Sequence, residues 1–156
     1  MVALPIINNS LFMSCLLKKD LFDQFEVREV TLHTFYKLHI DGKRNKDFYI
    51  DQETEGLSDY ITWAEMRDYI FEAIKGKKSP TFMKVVLSTN QQESQEISSV
   101  ASTFFLNIVY NEGAIQCTTG TAYTTFSLDK TPEKAWDNKM AQFLASQQLI
   151  EPIPLM

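Results

Sequence analysis

The 156-residue sequence contains few of the residues from which reactive or cross-linked sites are built. It has two cysteines, Cys15 and Cys117, without Cys-x-x-Cys spacing, and two histidines, His33 and His39. Two separate cysteines indicate reduced, buried thiols rather than a disulfide framework. Along one extended strand, the two histidines would lie about 20 Å apart, too far to share a metal ion. We therefore predict no metal, no cofactor and two idle thiols.

Long hydrophobic runs and catalytic motifs are also lacking. No segment approaches the ~18 apolar residues of a membrane-spanning helix. The first residues, MVALPIINNSLF, have neither the basic region nor the cleavage site of a signal peptide, so we expect a cytoplasmic protein without membrane association. There is no Gly-x-Ser-x-Gly, His-x-x-x-His or glycine-rich phosphate loop, which argues against an enzyme. A site assembled from carboxylates of separate loops would leave no such signature.

The composition indicates a globular protein with a substantial core. Apolar residues make up 44% of the chain and aromatic residues 12%. This content and the length predict a single α+β domain over residues 1–156. The net charge of -5, with a pI of about 5.0, disfavours general nucleic-acid binding but is compatible with a local basic face.

The most strongly patterned stretch, 103–128, predicts a β-hairpin. Its first half alternates apolar and polar residues, Asn-Glu-Gly follows, and the second half is rich in Thr, Ile, Tyr and Phe. Gly113 is predicted to close a three-residue loop in the left-handed conformation. The apolar parity changes at Gly120, which predicts a β-bulge there. The second half of the stretch, 114–128, contains no acid or histidine that could activate Cys117, so we interpret Cys117 as a core residue.

Apolar periodicity and helix caps predict most of the other elements. A capping box, Thr62-x-x-Glu65, begins one helix, and Gly76 ends it. Residues 25–40 alternate as one long strand or as two strands joined by a bend. The remaining predicted elements are an edge strand at 2–7, a short strand at 48–50, a strand at 81–87, and helices at 10–19, 62–75 and 132–147.

Three segments have no firm assignment to an element. The acidic run 51–56 mimics the first half of a calcium-binding loop, but position twelve is Thr62 instead of the required Glu, so we interpret it as a solvated loop. Residues 88–102 are polar and predict a surface excursion with one helical turn. The tail 149–156, LIEPIPLM, is apolar and contains two prolines, so it should dock on its own domain or on a partner.

The order of elements predicts a largely antiparallel sheet with two to three helices packed on it, an α+β fold. The order is also compatible with a pseudo-duplicated β-α-β-β unit, although the two halves share no evident identity.

Several short runs together resemble a family of small, uncharacterised bacterial proteins, a domain of unknown function, over nearly the whole chain. They are Phe12-Met13, Ile40-Asp41-Gly42, Ile74-Lys75-Gly76, Phe105-Leu106-Asn107, Cys117-Thr118-Thr119-Gly120-Thr121 and Ala135-Trp136-Asp137. The resemblance implies no activity. More loosely, the order of elements is similar to that of one domain of DNA sliding clamps, and such a likeness of fold is a weak argument for function.

Two functional hypotheses follow. The favoured one is a non-catalytic cytosolic binding or scaffold protein that acts through protein–protein contacts or self-association. The alternative is a nucleic-acid-associated module with a sliding-clamp-like fold. Its candidate basic binding face consists of Arg67, Lys75, Lys77, Lys78, Lys18 and Lys19, which also fit a solvated surface with cations at helix ends.

Overall fold

The computed structural model describes residues 1–50, 52–76 and 78–152, which form six strands and four α-helices. All strand pairs are antiparallel, and the order across the single sheet is β1-β6-β5-β4-β2-β3. The predicted α+β class is confirmed. The strands are β1 Ala3–Pro5, β2 Glu26–His33, β3 Lys37–Asp41, β4 Phe82–Ser88, β5 Ala101–Asn111 and β6 Ala114–Tyr123; the helices are α1 Asn9–Leu17, α2 Trp63–Ile74, α3 Gln91–Ile97 and α4 Thr131–Ser146.

The predicted hairpin is present as β5 and β6, but three of its details differ from the prediction. Asn111 pairs with Ala114, so the loop has two residues, and Glu112 and Gly113 both have positive φ, as in a type I′ turn. The predicted bulge at Gly120 is wrong: the pairing is regular there, and the register shifts beside Ala101 instead. The hairpin ends at Tyr123, because the last predicted residues do not pair with β5.

Residues 25–40 form two strands, since the chain turns at 34–36 and β3 returns alongside β2. The turn brings the rings of His33 and His39 to within 6.2 Å between centroids. The predicted separation of about 20 Å is therefore wrong, because it assumed that the two residues lie along one strand. His33 also packs against Phe82 of the neighbouring strand, with 5.2 Å between ring centroids.

A bulge interrupts β2 at Arg28. Val27 pairs with Leu87 and Glu29 pairs with Val86, so Arg28 is the extra residue. Beside the bulge, Ile61 accepts a hydrogen bond from Val27 N at 2.7 Å and donates to Gly42 O at 2.9 Å. A side chain at Gly42 would collide with Val27, since an added Cβ would lie 1.7 Å from its carbonyl oxygen. Glycine is therefore required for this close approach.

The predicted strand at 48–50 is wrong. Lys46–Phe48 forms a 3-10 turn, and the segment that reaches β2 is 60–62, through Val27 N and an isolated bridge between Glu26 and Thr62. The first half of the chain has the order β-α-β-β, whereas the second half, within the described residues, does not begin with a corresponding strand. The two halves therefore differ in structure, and the observed elements do not form a duplicated β-α-β-β unit.

Three helices, α1, α2 and α4, contribute side chains to the core on one face of the sheet. The predicted capping box is present, with Thr62 and Glu65 each bonding the other's backbone. Gly76, just after α2, has φ 150°. Both cysteines are buried. The largest fully buried side chains are Trp63, Trp136, Phe12, Phe22, Phe25 and Phe104.

The polar stretch 88–102 contains more structure than the single turn predicted. It holds the seven-residue helix α3, whose N-cap Asn90 accepts a hydrogen bond from Glu93 N at 2.7 Å. The acidic run 51–56 begins at Asp51, which lies outside the described residues, as does the end of the tail, 153–156. Leu149 and Ile150, at the start of the tail, are buried in the core. None of the described helices is long and apolar enough to span a membrane.

Candidate functional site: a polar cavity beside the bulge in β2

A cavity of about 650 Å³ lies where the bulged start of β2 meets the loop before α2 and the turn between β4 and α3. Glu26 and Arg28 contribute from β2, residues 56–60 form one wall, and residues from 89–94 form another. Ser102 and Thr103, at the start of β5, complete the lining. Most of these side chains are polar, and the volume is in the range of pockets that hold small ligands.

Glu26 is the buried acidic group of this cavity. The residue is 8% exposed, and its carboxylate has no hydrogen bond or ion pair with the residues that the structure describes. Desolvation raises the pKa of Glu26, and Asp59 also raises it, while the positive charges of Arg28 and Arg44 oppose the shift. Burying a carboxyl without a partner is costly, so an acid with a raised pKa in a cleft is a candidate functional group.

Arg28 supplies the positive charge. Its Nε donates to Ser88 Oγ at 2.9 Å, and its guanidinium carbon lies 3.7 Å from the ring centroid of Tyr60 and 5.6 Å from that of Phe105. These contacts place the guanidinium against two aromatic rings. Among the described residues, neither terminal nitrogen has a hydrogen-bond acceptor, so both are available to a ligand.

The loop wall of the cavity is held in place by a buried arginine, Arg44. Its terminal nitrogens donate to both carboxylate oxygens of Glu65, at 2.8 and 2.9 Å. Its Nε donates to the carbonyl oxygen of Ser58 at 2.8 Å, and Nη2 reaches that of Tyr60 at 3.5 Å. Arg44 therefore links the N-terminus of α2 to the loop that positions Tyr60 over Arg28.

The hydroxyl groups of the other wall bond to one another. Phe104 N donates to Thr89 Oγ1 at 3.2 Å, and Thr89 Oγ1 and Ser94 Oγ are 2.6 Å apart. Ser94 Oγ donates in turn to the carbonyl oxygen of Asn90 at 2.9 Å. This chain of hydrogen bonds fastens α3 to β5. Because its members already have partners, the chain is a structural feature of the wall.

The described residues of the predicted basic face do not line this cavity, and several have acidic or aromatic partners. Arg67 makes two hydrogen bonds to Asp23, at 3.0 and 2.9 Å. Lys75 forms an ion pair with Glu72 at 2.7 Å, and Lys18 lies 5.8 Å from the ring centroid of Phe71.

The remaining members of that face are exposed where described. Lys19 and Lys78 are exposed, and Lys77 lies outside the described residues. Lys75 and Lys78 line a separate cavity of about 450 Å³ together with the start of α1. The described residues include no group of three His, Cys, Asp or Glu side chains that could hold a metal ion.

Sequence reasoning did not identify Glu26 or Arg28 as site residues. Both lie in an ordinary alternating strand pattern with no catalytic motif. One signal was available: the buried positions change from odd to even numbers between Val27 and Val30, as a β-bulge between them requires. Bulges frequently reorient side chains next to functional sites.

The comparisons with known proteins give a family and no activity. No curated protein and no solved structure matches the chain, so the loose likeness to a sliding-clamp domain stays a prediction. A family model described as "Family of unknown function (DUF5721)" matches residues 15–150, a range that contains every residue of the cavity. The chain is thus a member of the DUF5721 family of unknown function.

Proposed function

We propose that this protein is a non-catalytic binding protein and that the cavity around Glu26 and Arg28 holds a small polar ligand. The observation that carries the proposal is that Glu26, a buried residue, lines the cavity and its carboxylate has no partner among the described residues. A ligand that donates hydrogen bonds to it would offset its desolvation. A cytoplasmic location is part of the proposal.

Binding is favoured over catalysis by the chemistry of the lining. General acid–base catalysis by Glu26 would need a reacting group beside it, and a nucleophile would need a base to activate it. The hydroxyls of Thr89 and Ser94 are engaged in the chain that fastens α3. The two histidines lie in the β2–β3 hairpin and do not line the cavity.

The test is a binding screen with four classes of probe: polar L-amino acids, hexoses, nucleoside monophosphates and polyamines, each at millimolar concentration. We expect at least one class to raise the melting temperature, because a ligand at one hundred times its Kd stabilises the native state by about 2.7 kcal/mol. The same probe should shift backbone amide signals in 26–28, 56–60 and 89–94.

The matched variants are Glu26→Gln and Glu29→Gln. Both changes remove one negative charge from β2, but Glu29 is exposed and does not line the cavity. Binding should weaken in Glu26→Gln and persist in Glu29→Gln. If none of the four classes shifts the cavity amides of the wild type, the cavity is not a ligand site and the proposal fails.

A protein partner is the second candidate, and a different surface favours it. The tip of the β2–β3 hairpin presents Phe35, which is 96% exposed, in an edge-on contact with Tyr36 at 4.6 Å between centroids. On the sheet face opposite the core, Phe82, Val86 and Val109 are only partly buried. Exposed aromatic and apolar groups of this kind are typical of protein-binding surfaces. A scaffold role would use this face rather than the cavity.

A further inference from the structure

We infer that the ligand of the cavity is a zwitterion of amino-acid size, whose ammonium group binds Glu26 and whose carboxylate binds Arg28. This inference rests on the proposed function and specifies its ligand. It follows from the two opposite charges that line the cavity, from their failure to pair with each other and from the polar character of the walls.

Glu26 selects a hydrogen-bond donor with positive charge. The residue is more than nine-tenths buried and lines the cavity, and its carboxylate accepts no hydrogen bond from the described residues. An ionised carboxylate is an acceptor only, and a buried charge needs an opposite charge with hydrogen bonds to compensate its desolvation. A primary ammonium group has three donors, so it supplies both the positive charge and the hydrogen bonds.

Arg28 selects a carboxylate. Because its Nε is bonded to Ser88 Oγ and its face is stacked on Tyr60, the guanidinium is fixed in orientation. Its two terminal nitrogens form the fork that matches the two oxygens of a carboxylate. A fixed fork loses little side-chain entropy on binding, which favours a planar anion over a single neutral acceptor.

The two charges line one cavity but do not satisfy each other. No ion pair within 4.0 Å joins Glu26 to Arg28, although they are two positions apart on the same strand and other acid–base pairs of the described chain are in contact. Two residues of strand span about 6.6 Å. A spacing of this order along the strand fits a short ligand that contacts both charges.

The other walls indicate what the rest of the ligand carries. Ser58, Ser102, Asn90 and Gln92 bring hydroxyl and amide groups to the lining. Each side chain makes at least one hydrogen bond within the chain and retains further donor or acceptor capacity. The charge of Asp59 is paired with Lys46 at 2.9 Å. Hydroxyl and amide groups match a polar, uncharged side chain better than an aliphatic one. Free L-glutamine, L-asparagine and L-serine are therefore suitable probes.

The experiment compares each of these three amino acids with two analogues by isothermal titration calorimetry on the full chain. The α-amide keeps the ammonium group and lacks the carboxylate, and the N-acetyl derivative keeps the carboxylate and lacks the ammonium group. For the wild type, we expect at least one free amino acid to bind, with both of its analogues at least tenfold weaker. This comparison requires no substitution and does not depend on how a variant folds.

Substitutions then assign each charge. Glu26→Gln should weaken the free amino acid at least tenfold and leave the N-acetyl derivative unchanged, whereas Arg28→Met should weaken the free amino acid and leave the α-amide unchanged. Glu29→Gln and Lys84→Met are the controls. These two residues form an ion pair at 3.8 Å and do not line the cavity. Equal binding of a free amino acid and its two analogues would overturn the inference.

The two proposals fail in different ways. If hexoses, nucleotides or polyamines shift the cavity amides but none of the three amino acids does, the zwitterion inference is wrong and the cavity remains a ligand site. If no probe of any class shifts those amides, both proposals are wrong.

Discussion

Burial raises the pKa of two acidic groups, Glu26 and Cys117, with different consequences. The Cys117 thiol lies in the core, and desolvation raises its pKa to about 12, so it stays neutral at physiological pH and packs as a small apolar group. Glu26 also has a raised pKa through desolvation, but it faces a polar cavity instead of packed side chains. The surroundings of a residue, more than its burial alone, therefore separate a structural group from a functional one.

Cys117 should be unreactive in the folded protein. Because the thiolate is the reactive form and the folded-state pKa is about 12, a thiol reagent at pH 8 should label Cys117 only after unfolding in denaturant. The raised pKa stabilises the fold fully below the ordinary thiol pKa, and this contribution is lost as the pH rises toward 12. Rapid labelling of Cys117 in the native protein would contradict its placement in the core.

Two substitutions of Cys117 distinguish the cost of lost packing from the cost of burying a polar group. Cys117→Ser places a hydroxyl where the sulfur packs, and we expect it to cost about 1–3 kcal/mol in the free energy of unfolding. Cys117→Ala, the matched control, removes the same atom without adding a polar group and should cost less. Urea denaturation measures both, and ligand binding at the cavity should be unchanged in each variant.

At the scale of elements, the ion pair of Arg44 and Glu65 connects the start of α2 to the loop at 58–60. The Arg44 side chain is 2% exposed, and its hydrogen bonds to Glu65 lower the pKa of that carboxyl to about 2. Glu65 also closes the capping box with Thr62. One carboxylate thus stabilises a helix terminus, neutralises a buried arginine and indirectly holds the wall of the cavity.

Glu65→Gln should destabilise the protein by about 1–2 kcal/mol. The cost is smaller than the ~3–5 kcal/mol of a fully buried broken pair, because the Glu65 side chain is 42% exposed and solvent screens the charge. The control is Glu72→Gln, whose exposed pair with Lys75 should contribute less than ~0.5 kcal/mol. Urea denaturation at neutral pH compares the three proteins, and equal stability of the two variants would contradict this role of Glu65.

The same pair predicts a dependence on pH. Since the folded-state pKa of Glu65 is lowered to about 2, its stabilisation is present above the ordinary glutamate pKa of ~4.3 and is lost as the pH falls toward 2. The difference in unfolding free energy between the wild type and Glu65→Gln should therefore decrease from pH 5 to pH 2. A difference that stays constant over this range would show that the pair does not cause it.

For the whole molecule, charge bears on the nucleic-acid alternative. The net charge is -5, and three cations of the candidate basic face, Arg67, Lys75 and Lys18, already contact acidic or aromatic side chains. A chain with this balance repels phosphate unless its free cations gather on one face. We therefore expect no binding to duplex DNA at near-physiological ionic strength.

A gel-shift series across salt concentrations tests this expectation. If the face binds phosphates, affinity should fall with salt at a log–log slope of ~0.9 per neutralised phosphate, and replacing Lys75, Lys77 and Lys78 with Glu should abolish binding. The control replaces Lys130, Lys134 and Lys139 of the α4 region with Glu, for an equal change in net charge. Wild-type binding that only the first variant loses would favour the nucleic-acid alternative over the binding protein proposed above.

The sequence by itself determined the elements whose cause is local. The capping box at Thr62, the helix end at Gly76 and the alternating strands of the central hairpin depend on residues a few positions apart, so periodicity and cap chemistry predicted them. The α+β class followed from the order of these elements. Prediction was wrong where a local pattern fits two structures, as at residues 48–50 and at Gly120.

Tertiary structure alone decided what comes together. The β2–β3 turn brings His33 beside His39, and the approach of segment 60–62 to the bulged strand puts Tyr60 over Arg28. The cavity combines residues from four segments between Glu26 and Thr103, and its character depends on desolvation, which burial among distant segments produces. A sequence shows which charges exist, but only the packed chain shows which charge loses its water and lacks a partner.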